Sequence, residues 1–176
     1  MSCLALSPHV ESPRLRLRGV RPGDLPRLAE LANDYDVVKM TGSMPYPYTA
    51  ADAEAFYEKA CAGDPADHAT FVLEHEDAPI GVLSFTPGPF ARTEIGYWLG
   101  RPFWGRGLAT EAVRAALGWA RGDWRKKLVL ACHYADNPAS GQVLIKSGFL
   151  YTGDVEPKVS KARGEAAPVR WMVWLA

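Results

Sequence analysis

The sequence predicts one mixed α/β (α+β) domain, a central sheet of about seven strands with helices on both faces. Three observations carry this expectation. A chain of 176 residues is long enough for one substantial core and too short to need two. Its 48% apolar and 23% charged residues are the composition of an ordinary soluble globular protein. Stretches of strand period also interleave with stretches of helical period, in the order strand, two helices, three strands, helix, strand, helix, two strands. That order builds a sheet with helices packed on it. The expected domain takes in residues 1–176, with 1–12 as a flexible N-terminal segment.

The elements follow in chain order. Arg14-Leu15-Arg16-Leu17-Arg18 alternates charged and apolar residues, the period of a half-buried strand. Asp24 is suited to cap a helix reaching about Asn33, whose Leu25, Leu28, Ala29 and Leu31 turn toward a core. The stretch TGSMPYPYT, residues 41–49, is a proline- and tyrosine-rich loop, and Thr49 or Asp52 opens a second helix, AADAEAFYEKA. Residues 71–73 read as a strand, Asp77-Ala78-Pro79 as a turn, 80–85 as a third strand and 94–99 as a fourth. A helix from about 107 to 120 carries Leu108, Ala112, Ala115, Ala116 and Trp119 as its apolar stripe. Residues 127–134 form the fifth strand. Asn137-Pro138 starts a short helix well: asparagine caps, and proline at the first helical position lacks an N–H that would find no partner. That helix ends near Ser147-Gly148, and 149–155 and 169–175 close the sheet. The polar stretch between the last two strands, PKVSKARGEAAP, reads as a mobile loop.

Charge and composition exclude several function classes. Twenty basic residues balance twenty acidic ones, so the chain lacks the global positive field of non-specific nucleic-acid binding. Cys3, Cys61 and Cys132 are odd in number and far apart, which argues against zinc and against a disulfide framework. His9, His68, His75 and His133 show no metal-ligand spacing, and no metal is expected. No stretch approaches the ~20 apolar residues of a membrane span. The first residues lack the charged, then apolar, pattern of a secretory signal. The chain therefore reads as cytoplasmic, with no nucleic-acid or membrane partner.

One segment stands out chemically. GRPFWGRGLAT, residues 100–110, is a glycine- and arginine-rich turn running into a helix-forming stretch. Gly105 and Gly107 let a ligand approach the backbone, and the helix start offers unpaired N–H groups and a dipole that favours an anion. Together these form a phosphate cradle, although a tight strand-to-helix turn that binds nothing uses the same residues. A Walker loop, GxxxxGK[ST], fails where its chemistry lies: Arg106 replaces the lysine and Gly107 the hydroxyl residue. A GxGxxG fingerprint fails as well, with Thr110 in place of its third glycine.

The longer run EIGYWLGRPFWGRGLATEA resembles the acetyl-CoA-binding signature of the GNAT superfamily of N-acetyltransferases. Its tryptophan-glycine-x-glycine form is similar to the RimJ/RimL-type branch. The superfamily pattern Gln/Arg-x-x-Gly-x-Gly/Ala is met by Trp104-Gly105-Arg106-Gly107-Leu108-Ala109 except at its first position, where tryptophan is usual in that branch. A second segment, NPASGQVLIKSGF, is similar to the other helix that contacts coenzyme A, and the element order matches from about residue 14 onward.

The resemblance implies a mostly antiparallel sheet split into a V between the fourth and fifth strands, with the pantetheine arm of acetyl-CoA in the opening. It assigns main-chain contacts with the arm to Tyr97, Trp98 and Leu99. It gives the pyrophosphate to the amides of Gly105, Arg106, Gly107, Leu108, Ala109 and Thr110. Asn137 is assigned to the arm and Ser140 to the sulfur. Glu94 becomes the general base that deprotonates the amine; its alternative is a strand-edge charge paired with Arg92 or a neighbour. Strand period puts Glu94, Gly96 and Trp98 on one face. A backbone N–H near Trp98 is suited to polarise the thioester carbonyl. Many members carry a tyrosine acid further along the second helix. Val143-Leu144-Ile145 stand there instead, which leaves Ser140 or water, with Tyr134 and Tyr151 as remoter candidates.

The chain lacks a GxSxG elbow and any recognisable Ser-His-Asp or Cys-His frame, so direct transfer is expected without an acyl-enzyme. The expected acceptor is a primary amine, either a protein N-terminus or a small molecule. Tyr35, Tyr46, Tyr48 and His133 are candidate substrate contacts, with Met44 and Asp136 beside them. A homodimer is compatible with the family. Two other functions remain open at this stage: a non-catalytic acyl-CoA sensor and a P-loop-like nucleotide-binding protein.

Overall fold

In the computed structural model, which describes residues 8–176, eight strands form one sheet in the order β1-β2-β3-β4-β5-β6-β8-β7. The strands are β1 (Val10–Glu11), β2 (Arg16–Arg18), β3 (Ala69–His75), β4 (Ala78–Pro87), β5 (Thr93–Leu99), β6 (Leu128–Tyr134), β7 (Leu150–Ser160) and β8 (Glu165–Leu175). The helices are α1 (Leu25–Ala32), α2 (Tyr35–Val38), α3 (Ala50–Ala62), α4 (Leu108–Gly122) and α5 (Pro138–Lys146). All neighbouring strands pair antiparallel except β5 and β6, which are parallel.

The alternation of side chains along the central strands divides the core into two layers. Phe71, Leu73, Leu83, Phe85 and Ile95 face α4, where Leu108, Ala112, Val113, Ala116 and Leu117 form the buried stripe. The intervening Val72 and Val82 face the opposite way and pack with Leu28 of α1. Trp98 touches this second layer, whereas Tyr97 touches the first. Covered on both sides, β3 is buried along its whole length.

Five expectations need correction. Val10 and Glu11 pair with Leu17 and Arg16, so the flexible N-terminal segment does not extend to residue 12. Residues 1–7 with Cys3 lie outside the described residues. A short α2 is present, capped by Asp34, whose carboxylate accepts the Asp36 N–H at 2.9 Å. The turn between β3 and β4 falls earlier than expected, with Glu76 and Asp77 both at positive φ. Asp24 does not cap α1 with its side chain. Finally, the supposed mobile loop is the body of a hairpin, with β7 and β8 paired from Val155–Arg170 to Ser160–Glu165. Thr49 is the residue that opens α3, with Asp52 completing a capping box.

Asp24 instead serves a buried ion network. Arg18 donates to both Asp24 oxygens at 2.8 and 2.9 Å and to Glu74 at 2.7 Å, and all three side chains are buried. Removing one carboxylate leaves a buried guanidinium undercompensated. Asp24→Ala is therefore expected to lower unfolding stability by about 3–5 kcal/mol, read from the denaturant midpoint.

Candidate active site

The sheet opens at one place. β5 and β6 pair only at Thr93–Val129 and Glu94–Leu130, and then separate. Beyond Glu94, the β6-facing edge of β5 has no strand beside it, while its other edge remains paired with β4 through Leu99. The expected V is therefore present, its apex at Glu94 and Leu130.

The turn that follows β5 is built by its own residues. The Trp104 indole N–H donates to the Leu99 carbonyl at 2.8 Å, tying the turn to the strand it leaves. This bond gives tryptophan a local role at the position where the superfamily pattern has Gln or Arg. It also occupies one of the main-chain groups expected to meet the pantetheine arm. Gly105 and Gly107 have φ of +71° and +75°, the left-handed region in which a Cβ is strained. Gly107 caps α4, and the first intrahelical bond runs from Glu111 N–H to its carbonyl. Among the described residues, the backbone N–H groups of 105–110 have no acceptor.

A second set of contacts holds this turn in place. Arg14 donates to the Arg106 carbonyl at 2.9 Å and to Glu111 at 2.7 Å. The Arg106 side chain turns toward His75 and donates to Nε2 at 3.1 Å. The other ring nitrogen, Nδ1, lies 2.9 Å from the Arg14 carbonyl, which can only accept, so Nδ1 carries the proton and Nε2 is free to accept. The guanidinium of Arg106 is thus engaged by protein, and what the turn leaves open to a ligand is the row of backbone amides at the N-terminus of α4.

Two groups of side chains flank the V on opposite faces. On the α4/α5 side, the Tyr97 hydroxyl meets Ser140 Oγ at 2.9 Å. Burial pushes the Tyr97 phenol up to about 12, so it remains a proton donor at neutral pH. Ser140 is held by the cap of α5: its N–H donates to the Asn137 side-chain oxygen at 3.3 Å. Asn137 thus has the capping role expected of it.

On the α1/α3 side, Glu94 does not pair with Arg92. Its carboxylate accepts from Lys158 of β7 at 3.0 Å, and the Cys132 thiol donates to the same oxygen at 3.5 Å. Glu94 is 19% and Lys158 39% exposed, so the pair remains in contact with water. Burial pushes the Cys132 thiol up to about 11, which keeps it protonated. Burial also works against the charge on Lys158, but the facing Cys132 and Glu94 outweigh it and raise the ammonium above its ordinary value.

The candidate substrate residues separate into two groups. Tyr35 and Tyr46 are exposed and meet edge to face at 5.4 Å. Tyr48 is only 9% exposed and packs with Ala32 and Ala53, so it belongs to the core. His133 is 6% exposed and lies under α5, where its Nε2 meets the Tyr151 hydroxyl at 2.9 Å. A Cβ on Gly141 of that helix would come within 2.9 Å of this nitrogen. Since Cys132 points to the Glu94 face, its neighbour His133 points away from it. Asp136 is paired with Arg163 at 2.7 Å, and the Tyr134 hydroxyl donates to the Val159 carbonyl. Sequence reasoning missed Lys158, Cys132 and the Tyr97 hydroxyl. The one available signal was the alternation Val155-x-Pro157-x-Val159, which carries strand period into the segment read as a loop.

A sequence profile for the acetyltransferase (GNAT) domain matches residues 14–150. The chain belongs to the GNAT acetyltransferase family. This GNAT protein is 37% identical over 86 residues to the ribosomal-protein-serine acetyltransferase of Escherichia coli K12, a match spanning 47% of this chain and 48% of that relative. The relative agrees with the RimJ/RimL-type form of the signature. Among solved structures, RimL, the ribosomal L7/L12 α-N-protein acetyltransferase in complex with coenzyme A, superposes with a TM-score of 0.81 at 20% identity, covering 96% of this chain and 98% of that one. Spermidine N-acetyltransferase from Vibrio cholerae, in complex with coenzyme A and spermine, gives 0.76 at 21% identity over 93% and 96%. The split sheet of this chain is that of the family fold. Among the described residues, no helix of this GNAT chain is long and apolar enough to cross a membrane.

Proposed function

We propose that this acetyltransferase moves an acetyl group from acetyl-CoA directly to a protein N-terminal α-amine. The observation that carries the proposal is the position of Glu94 at the apex of the V, with the Tyr97–Ser140 hydroxyl pair on the other face. Acetyl-CoA supplies an activated acyl thioester. The residues fit it: six amides without acceptors at 105–110 suit a pyrophosphate, and the open edge of β5 suits an amide-bearing arm. Glu94 takes a proton from the amine, which then attacks the carbonyl carbon. A backbone N–H near Trp98 stabilises the oxyanion. The Tyr97–Ser140 pair faces the leaving sulfur and returns a proton to it.

The chemistry needs the base more than the acid. An α-amine has a pKa of about 7.7–8.0, whereas a thiol of about 8.5 leaves with little help. Tyr97→Phe and Ser140→Ala are each expected to lower kcat by roughly tenfold. The double variant should be little worse than either one, since the two hydroxyls act as a pair. Strictly additive losses would mean that the hydroxyls act separately.

Support for a peptide acceptor comes from the 37% identity with the ribosomal-protein-serine acetyltransferase. It also comes from the charges facing the acceptor side. Asp34, Asp36 and Asp136 already hold Arg101, Lys39 and Arg163, so these three carboxylates are taken before the extra ammonium groups of a polyamine could use them. Tyr35 and Tyr46 are exposed where a peptide could rest. The test offers acetyl-CoA with a serine-starting peptide, the same peptide with a blocked N-terminus, and spermidine. Acetylation of the free peptide alone is expected; acetylation of spermidine alone would replace the peptide with a small amine.

A further inference from the structure

Lys158 is not an ordinary surface lysine. Its Nζ lies 3.0 Å from Glu94 Oε1 and 3.3 Å from Cys132 Sγ. Those partners stand on the two strands of the V: Glu94 is the last residue of β5 paired with β6, and Cys132 lies two residues past Leu130, the last residue of β6 paired with β5. The ammonium therefore bridges the strands where they part, on the face read as the acceptor side. It also sits 5.3 Å from the Trp171 ring centroid. The hairpin that carries it is anchored nearby, with Lys161 N–H on the Gly42 carbonyl at 3.1 Å and Arg163 on the Lys39 carbonyl at 2.7 Å. The backbone is thus fixed, and the flexible four-carbon stem is the part that can turn once the head leaves Glu94 and Cys132.

We propose that Lys158 is itself an acetyl acceptor, and that the protein acetylates its own Nζ at the carboxylate that deprotonates the external amine. The inference rests on the acetyl transfer and the role of Glu94 proposed above. The facing Cys132 and Glu94 favour the charged form of Lys158, so the nitrogen becomes a nucleophile only as Glu94 takes one proton from it during the attack. The neutral nitrogen attacks the thioester carbonyl carbon, and a C–N bond forms as the C–S bond breaks. The electron pair leaves on sulfur, which takes up a proton, and the nitrogen loses its second proton. The products are Nζ-acetyl-Lys158, free coenzyme A and one proton on Glu94. The acetylated side chain has lost its charge and no longer pairs with Glu94, so the carboxylate is released to external amines.

The test incubates the full chain with acetyl-CoA alone at several protein concentrations and maps acetyl groups by peptide mass spectrometry over time. Reactions with Glu94→Gln, Lys158→Arg and a serine-starting peptide run in parallel. The expected result is acetylation of Lys158 at a first-order rate independent of protein concentration. It should be at least about tenfold faster than at the exposed Lys59, Lys127 and Lys146, and lost in Glu94→Gln. In Lys158→Arg the site takes no label and no other lysine replaces it. Labelling of Lys158 no faster than the exposed lysines, or equal labelling in Glu94→Gln, would overturn the proposal. An unmodified Lys158 beside an acetylated peptide would overturn self-acetylation alone. If neither is acetylated, the transfer reading falls with it.

Discussion

Glu94→Gln is expected to lower kcat/KM for the amine by about 10²–10⁴-fold while leaving acetyl-CoA affinity unchanged. Glutamine keeps the shape of the side chain but removes its charge, and with it both the capacity to accept a proton and the ion pair with Lys158. In the binding mode proposed above, cofactor affinity is held elsewhere, by the amides at the start of α4 and the open edge of β5. The defect has a pH signature. Below about pH 7.7 an α-amine is mostly protonated and needs the base. As pH rises past that value the free amine accumulates, and the variant should recover toward the parent. Stopped assays across this range, with acetyl-CoA affinity measured by calorimetry, check both parts. Full activity of the glutamine variant at neutral pH would remove Glu94 from the mechanism.

Gly107→Val should act in the opposite way, through the cofactor. The residue has φ of +75° and caps α4. A non-glycine residue in this region costs about 1–2 kcal/mol, and a β-branched one fits it worst. A backbone that moves to relieve the strain turns the neighbouring amides away from their common target. Acetyl-CoA affinity is expected to fall by at least about tenfold, equivalent to about 1.4 kcal/mol. Arg106→Ala should lose much less, because that guanidinium is already turned to His75 at 3.1 Å. Calorimetric titration of the two variants gives the comparison directly; a larger loss in Arg106→Ala would shift the cradle from backbone to side chain.

Gly107 also shows what could be read from the sequence. Gly107 and Asn137 act through local rules: a glycine before a helix and an asparagine before proline carry their conformation with them. The same locality made β5 and α4 legible, whereas the position of the V came only from the resemblance to the GNAT signature. Lys158 depends on a hairpin that brings it across 64 residues to Glu94, and nothing near it in the chain signals that partner. Tyr48 and His133 look like surface candidates until tertiary packing buries them. Val10 and Glu11 form a strand too short to show any period. Asp24 has the local chemistry of a helix cap, but the buried Arg18 claims its carboxylate.

The most direct measurement of the central claim is the initial-rate pattern with acetyl-CoA and a serine-starting peptide both varied, with thiol release and acetyl-peptide quantified together. Direct transfer in the V predicts intersecting double-reciprocal lines and one thiol for each acetylated α-amine. Acetyl on Lys158 would be a stable amide that is never passed to the peptide. Parallel lines, with an acetyl group that moves from the protein to the peptide after acetyl-CoA is removed, would contradict the account and point to an acyl-enzyme.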